Sequence, residues 1–379
     1  MTINIRELRK RIELDGAERT AEHLTESLKQ GDLKPDDFSI RDLAESFMPG
    51  GLAQAEQMMV SDSAWLTEEA AIPFVNTVGA VIDTKIKEAY NQEVFAASRL
   101  VRTIPTRLDG EKIHTFGTFS DNNLAVATGS TYRSAALHAA YIETPGTAKH
   151  GLIIPITKEA VFFDQTHHLL ERAAEVGEIL ALNKERRILD MILGITNTYK
   201  QNNTFWDTYS AASSHPWKNL LTGNELLNWE SIEAAEDLFG EMVDPISGNP
   251  IMIEPNAVLV MPPKRHLAHR LFYASSISYE DGSSGMTIRN PFAKYRLISS
   301  RLAYQRLKTQ NGITNPERIW FLGNFRKAFA YMENWGITVT RSASGSEADF
   351  MQDVVVRFKA SERGVPAVID PRYVVKCVG

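Results

Sequence analysis

The amino-acid sequence predicts an α+β protein carrying one long projecting loop, and three observations lead there. From Asp164 to about Leu193, apolar residues hold one helical stripe for far longer than the usual three turns. Near the end, Val354, Val356, Phe358 and Ala360 alternate with Val355, Arg357 and Lys359, the period-two pattern of a half-buried strand. Between them in kind stands Leu100 to Pro155, about fifty residues with few large aliphatics, more than a compact domain ordinarily leaves without a core of its own.

The composition fits an ordinary folded chain. It has 379 residues, 43% hydrophobic and 23% charged, enough to bury a sizeable core in two or three domains. A formal charge of -6 and a pI near 5.9 supply no blanket of positive potential, which disfavours DNA binding as the main task. The single cysteine, Cys377, rules out a disulfide framework or a thiolate zinc site. The charged opening MTINIRELRKRIELDG lacks the apolar region of a signal peptide, and no stretch is apolar enough to span a membrane. Synthesis and retention in the cytoplasm are therefore expected.

Residues 5 to 30 place Ile5, Leu8, Ile12, Leu24 and Leu28 among many charges, with a break at Gly16. So thin a stripe predicts either a solvated helix pair or, as the favoured reading, an arm that gains order on a neighbour. After the turn signal Met48-Pro49-Gly50-Gly51, a helix is expected from about Pro73 to Ser98, with Val78, Ile82, Ile86, Tyr90 and Val94 spaced by fours. The segment from 100 to 155 carries four basic and four acidic residues between Thr103 and Ile156. It reads as a two-stranded projection completed by another subunit.

Asp164 is the expected N-cap of the long helix and Gly194 its stop, giving a strut about 43 Å long. Leu169, Ala173, Val176 and Leu180 face inward. Glu171, Arg172, Glu175, Glu178, Lys184, Glu185, Arg186, Arg187 and Asp190 form the charged face, either solvated or engaged in intersubunit ion pairs. Residues 195 to 225 read as a loop-rich connection. Trp229 to Met242 reads as a helix, the run Asp244 to Asn249 as a turn, Ala257 to Val260 as a strand, and Met261-Pro262-Pro263 as the start of a helix to about Tyr273. Strands are expected at Arg318 to Leu322, at Phe329 to Val339 and in the tail IDPRYVVKCV.

Motifs for chemistry are missing. There is no Walker-type phosphate loop, no G-x-G-x-x-G and no H-E-x-x-H. Gly282-Ser283-Ser284-Gly285 falls one residue short of a nucleophile elbow and lies in a polar loop. His167 and His168 point about 100° apart on a helix and cannot share a metal, while His266 and His269 lack a third ligand. No cofactor or metal is expected.

Three runs carry a resemblance. They are Ile156-Thr157-Lys158-Glu159-Ala160-Val161 leading through Asp164 to Val176-Gly177, Phe321 to Phe329 with Glu333-Asn334-Trp335, and Gln352 to Gly364 followed by Asp370-Pro371-Arg372. In this order they resemble the major capsid proteins of tailed double-stranded DNA phages with the Hong Kong 97 fold, over about residues 75 to 379. The resemblance implies an N-terminal arm and helix (1-102), an extended E-loop (103-156), a P-domain with the spine helix (157-227), an A-domain (228-344) and P-domain C-terminal strands (345-379).

It further implies assembly rather than catalysis. Copies would form hexamers and pentamers that close into an icosahedral shell. Portal, scaffolding and decoration proteins and packaged double-stranded DNA, bound without sequence specificity, are the implied partners. The implied location is the virion, assembled in the host bacterial cytoplasm. By position, subunit contacts fall to Thr128, Gly129, Tyr132 and Arg133 on the loop, to Glu171, Arg172, Arg187 and Asp190 on the spine, and to Lys359, Glu362 and Arg363 on the closing strand. Gly177 is the expected hinge for shell maturation. Lys112 and Lys149 sit in no crosslinking motif, and retention of the arm in the particle is expected. An encapsulin-like nanocompartment shell shares the fold and is the first alternative; a soluble enzyme with an insertion loop is the second.

Overall fold

The computed structural model describes residues 5–47, 71–91, 95–116, 126, 128–129, 139–157, 163, 165–244, 248–281, 284–310, 312–341 and 354–379. They fall into two compact units, Met1–Val94 with Lys149–Asn183 and Trp335–Arg363, and Phe95–Ala148 with Lys184–Asn334 and Gly364–Gly379. The long helix, Thr166–Leu193, gives residues 166–183 to the first unit and 184–193 to the second.

In the first unit, helices Ile5–Asp15, Ala17–Gln30 and Ile40–Phe47 pack with the helix Ala71–Tyr90. Leu8, Leu24, Leu28, Leu43 and Phe47 join Phe74, Val78, Ile82 and Ile86 in one core, together with Leu169, Ala173 and Leu180 of the long helix. The expectation that residues 5 to 30 wait for a neighbour is thereby corrected. Their stripe is thin, but each fully buried Leu, Ile or Phe contributes about 1.5–3 kcal/mol, and Phe38, Ile40, Leu43 and Phe47 add apolar surface that the reading of 5 to 30 did not count. Gly16, at φ 85°, makes the break between the first two helices, and Gly31, at φ 83°, ends the second. Polar ties fix the segment: the Ile40 N–H donates to Thr166 Oγ1 at 2.8 Å, and Lys85 meets Asp36 at 2.8 Å. The turn signal at Met48 to Gly51 lies outside the described residues.

The strand Val354–Val368 lies between Phe329–Arg341 and Ala148–Thr157. In the first unit its alternation is the one expected: Val354, Val356, Phe358 and Ala360 are buried in the core and Lys359 is exposed.

The second unit is organised by a five-stranded sheet in the order Arg296–Ser299, Ala257–Val260, Ile319–Gly323, Val374–Val378, Leu220–Thr222. Both faces are covered, so strands 257–260 and 319–323 carry no polar side chain, and Lys376 is the one polar residue of 374–378. Val258, Val260, Trp320, Leu322 and Val375 pack with Ile232 and Phe239 of the helix Trp229–Gly240 and Phe272 of the helix Arg265–Tyr273. Leu259, Phe321 and Val374 turn the other way, onto Ile188, Leu189 and Ile192 of the long helix and Leu307 of the helix Arg301–Gln310. Asn228 caps the 229–240 helix by accepting from the Ser231 N–H at 3.2 Å.

Several expected bounds move. The helix expected over 73 to 98 stops at Tyr90, and Ala97–Leu100 forms a separate turn; Val94 is outside the described residues. The start of that turn is held by the buried carboxylate of Glu185, which accepts from Ala97 N–H at 2.5 Å, Ser98 N–H at 2.8 Å and Ser98 Oγ at 2.9 Å. The long helix begins at Thr166, with Asp164 outside the described residues, and Gly194 stops it at φ 73°. Of the run Gly282-Ser283-Ser284-Gly285, Ser284 and Gly285 begin the strand Ser284–Arg289, which pairs antiparallel with Ser276–Asp281, and Gly282 and Ser283 lie outside the described residues.

The projection is anchored at both ends. Arg102–Pro105 pairs in parallel with Ala330 to Glu333, and Ala148–Thr157 joins strand 354–368. Between them Lys112–Phe116 pairs antiparallel with Ala139–Glu143, which continues into a ribbon of Lys200–Gln201 and Thr204–Phe205. Asn202 at φ 46° and Asn203 at φ 67° make the tight turn of that ribbon, a geometry asparagine tolerates. The connection over 195 to 225 thus contains three short strands.

Candidate assembly surfaces

The first candidate surface is the outward face of the long helix in the first unit. Leu169, Leu170, Ala173 and Leu180 are buried, so helical spacing turns His167, His168, Glu171, Arg172, Glu175, Glu178 and Ile179 to solvent. His167 Nε2 lies 3.2 Å from Glu171, while Glu175 and Glu178 have no ion pair among the described residues. Glu171 and Arg172 are therefore placed as expected of surface groups.

The rest of the expected charged face turns inward. Arg187 donates to the Gly364 carbonyl at 3.1 Å and stands 5.8 Å from the Tyr331 ring. Asp190 accepts both Nε and Nη2 of Arg306, at 2.7 and 2.6 Å, a bidentate pair that holds the Arg306 guanidinium above its ordinary range. Lys184 reaches Glu333 at 3.3 Å, and Glu185 is 1% exposed. As free interface groups Lys184, Glu185, Arg187 and Asp190 are thus corrected. Helical periodicity finds which side is polar but not which polar groups find partners in their own chain.

The second surface is the strand 148–157 at the edge of its sheet. Ile154 and Ile156 enter the core, so Ile153 and Pro155 point away, with Ile153 60% exposed beside Leu152. Proline has no N–H to donate and belongs on such an edge. Gly151 lets the strand approach its neighbour: a Cβ there would lie 2.6 Å from the Ala360 carbonyl oxygen. On the neighbouring strand Lys359 is exposed, Arg363 stands 5.7 Å from the Trp335 ring, and Glu362, 1% exposed, accepts from the Tyr90 hydroxyl. Glu362 is thus a buried acceptor within its own unit.

The third surface is the ribbon of the second unit. Phe205 is 71% and Leu108 56% exposed, more than an isolated subunit gains from. Lys200 binds Glu143 at 2.5 Å and, with Lys112, holds its carboxyl below the usual range. Thr128 and Gly129 form an exposed turn, with Gly129 at φ 88°; Tyr132 and Arg133 lie outside the described residues. Sequence reasoning missed Ile153 and Phe205; the apolar run Leu152-Ile153-Ile154 before Pro155 was the available signal.

Among the described residues no cluster of His, Cys, Asp and Glu converges as a metal site, and no helix is long and apolar enough to cross a membrane. Cys377 is buried, its thiol pushed up to about 12 by desolvation.

These features define an α+β chain that leaves charged and apolar side chains exposed on its long helix, edge strand and ribbon. The chain matches the family described as phage capsid protein over residues 142–377, well over half its length, and belongs to that family. It is a structural protein of the phage virion that builds a shell from copies of itself. Solved structures that are similar include Mycobacterium phage Ogopogo (14% identity, 76% of this chain and 93% of that one, TM-score 0.44). The capsid of a native GTA particle is similar at 11% identity, with 75% and 89% covered and a TM-score of 0.46. The SrpI encapsulin complex of Synechococcus elongatus is similar at 11% identity, with 74% and 85% covered and a TM-score of 0.42. None of the curated proteins matches the chain.

Proposed function

We propose that this chain is the major head-shell subunit of a tailed double-stranded DNA phage, with a Hong Kong 97-like fold, assembling through hexamers and pentamers into an icosahedral capsid and carrying out no catalysis. The observation that carries this reading is the family match over residues 142–377, which spans the long helix, the five-stranded sheet and the closing strands. The ribbon 112–116/139–143 is the base of the E-loop, residues 166–193 are the spine of the P-domain, and the sheet around 257–260 and 319–323 belongs to the A-domain. Shells form in the host bacterial cytoplasm, with portal, scaffolding and decoration proteins, and enclose DNA held by confinement. Exposed Ile153, Leu152 and Phe205 are covered by neighbouring copies, which supplies apolar burial in a head-to-tail arrangement.

Sedimentation velocity of purified protein tests this. Megadalton particles or discrete capsomer rings are expected, and a small oligomer at micromolar concentration contradicts it. Nucleic acid inside particles from infected cells, and not an enzyme cargo, separates the phage reading from the nanocompartment one.

A further inference from the structure

The charge of this acidic chain is unevenly spread. Between Met261 and Lys308 nine lysines and arginines face only two acidic residues, Glu280 and Asp281, in a chain whose net charge is -6. Within that stretch the helix 265–273 buries Ala268 and Phe272 and exposes Arg265, His266, His269 and Arg270. The segment that follows is tied back to the helix. The Asn290 side-chain amide donates to the Leu271 carbonyl at 2.8 Å, and the Leu297 N–H donates to the Tyr273 hydroxyl at 3.2 Å. The first of these bonds sets Arg289 beside the helix end that carries Arg270, and Lys294 closes the turn 291–294 that follows; all three are exposed.

In the second unit Arg306 pairs with Asp190, Arg372 with Asp370 and Lys200 with Glu143, while exposed Lys218, Arg301, Lys308 and Arg326, like Arg265, Arg270 and Arg289, form no ion pair among the described residues. What sets Arg265, Arg270 and Arg289 apart is that they share one helix and the segment tied to its end, together with Lys294, whose one ion pair among the described residues is to Glu236 at 3.3 Å. Like charges left together without counter-charges repel, so the arrangement calls for an anion from outside.

We propose that this face, Arg265, Arg270, Arg289 and Lys294, is a phosphate-binding surface that contacts the packaged double-stranded DNA through its backbone, without reading sequence. The assignment rests on the head-shell reading, which supplies the enclosed polyanion. Two observations favour nucleic acid over an acidic protein partner. Three of the four cations are arginine, whose planar fork matches phosphate oxygens in pairs. The centre of a protein interface is depleted of charge and rich in apolar surface, whereas among the described residues here the exposed large apolar side chains are Tyr273 and Ile288, at 47% and 46%. A local patch on an acidic chain also lets DNA be touched without being held fast, since each phosphate contact is weakened by salt.

The test is binding of a fluorescent duplex of about 25 base pairs to gradient-purified capsomers between about 50 and about 200 mM NaCl. The comparison is between the natural protein, the variant R265Q/R270Q/R289Q, and its Arg→Lys counterpart. Each phosphate contact contributes about 0.9 to the slope of log affinity against log salt, so the Gln variant is expected to lose about 2 to 3 units of slope. The Lys variant retains most of the slope. Unchanged slope in the Gln variant, or no salt-dependent binding by the natural protein, overturns the assignment. So does a Gln variant that binds DNA normally but forms no shells, which would make the face a protein contact. Electron microscopy of the same fractions separates this from failure of the head-shell reading, because absence of shells from the natural protein strikes the reading itself.

Discussion

Gly177 of the long helix packs directly onto the backbone of Ile86: a Cβ at Gly177 would collide with the Ile86 carbonyl oxygen and lie 3.0 Å from Ala89 Cβ and 3.1 Å from Tyr90 N. The glycine expected as a hinge is the point where two helices of the first unit come closest. Bending there would need the contact to open.

Replacing Gly177 by alanine distinguishes the two roles. An exposed helical glycine gains about 0.5–1 kcal/mol on becoming alanine. Here overpacking against the 71–90 helix costs about 1–3 kcal/mol, so G177A lowers the denaturant midpoint. A raised midpoint would show that the helices do not touch.

The Asp190–Arg306 pair is predicted to stabilise the second unit. The groups are 14% and 21% exposed and bonded twice. Breaking it with D190N or R306M is expected to cost about 2–3 kcal/mol, with a coupling energy of at least about 1 kcal/mol in a double-mutant cycle. Additive single costs would mean the pair is solvated and free to serve a neighbour.

Lys376 sets a pH dependence. It is buried between Tyr209 and Phe321, donates to the last helical carbonyl, Leu193, at 2.9 Å, and desolvation pushes its ammonium down to about 8. Unfolded, it titrates near 10.4. Between those values the unfolded chain binds the extra proton, so stability rises as pH climbs from about 8 toward 10, by on the order of 2 kcal/mol. K376M removes the rise at the cost of an orphaned carbonyl. Denaturant titrations of both proteins at pH 7.5, 9 and 10, about those values, check this; equal slopes with pH would contradict it.

Ile153 tests the edge strand. At 60% exposure, I153D leaves the unfolding midpoint within about 0.5 kcal/mol of the natural protein but blocks growth beyond capsomers in light scattering. Normal shells from the variant would remove strand 148–157 from the assembly surfaces.

What the sequence made legible followed from periodicity. Leu169, Ala173 and Leu180 announce the long helix and Val354 to Ala360 the strand because burial repeats at the period of the backbone. The sheet strands 257–260 and 319–323 were found as apolar runs. Two kinds of feature stayed hidden. One is tertiary capping, as where the Glu185 carboxylate holds the start of the turn 97–100 from 87 residues away in sequence. The other is pairing of charges within the chain: nothing in the spacing of Arg187, Asp190 and Glu362 distinguishes an intrachain partner from a neighbour's. Strands of two residues, such as 200–201, are too short for any period to register.

The central claim is that the chain builds shells, and negative-stain electron microscopy of gradient-purified protein tests it most directly. Closed icosahedral particles, or rings with fivefold and sixfold symmetry, are the predicted result. Monodisperse small oligomers that never form rings at high concentration would contradict it.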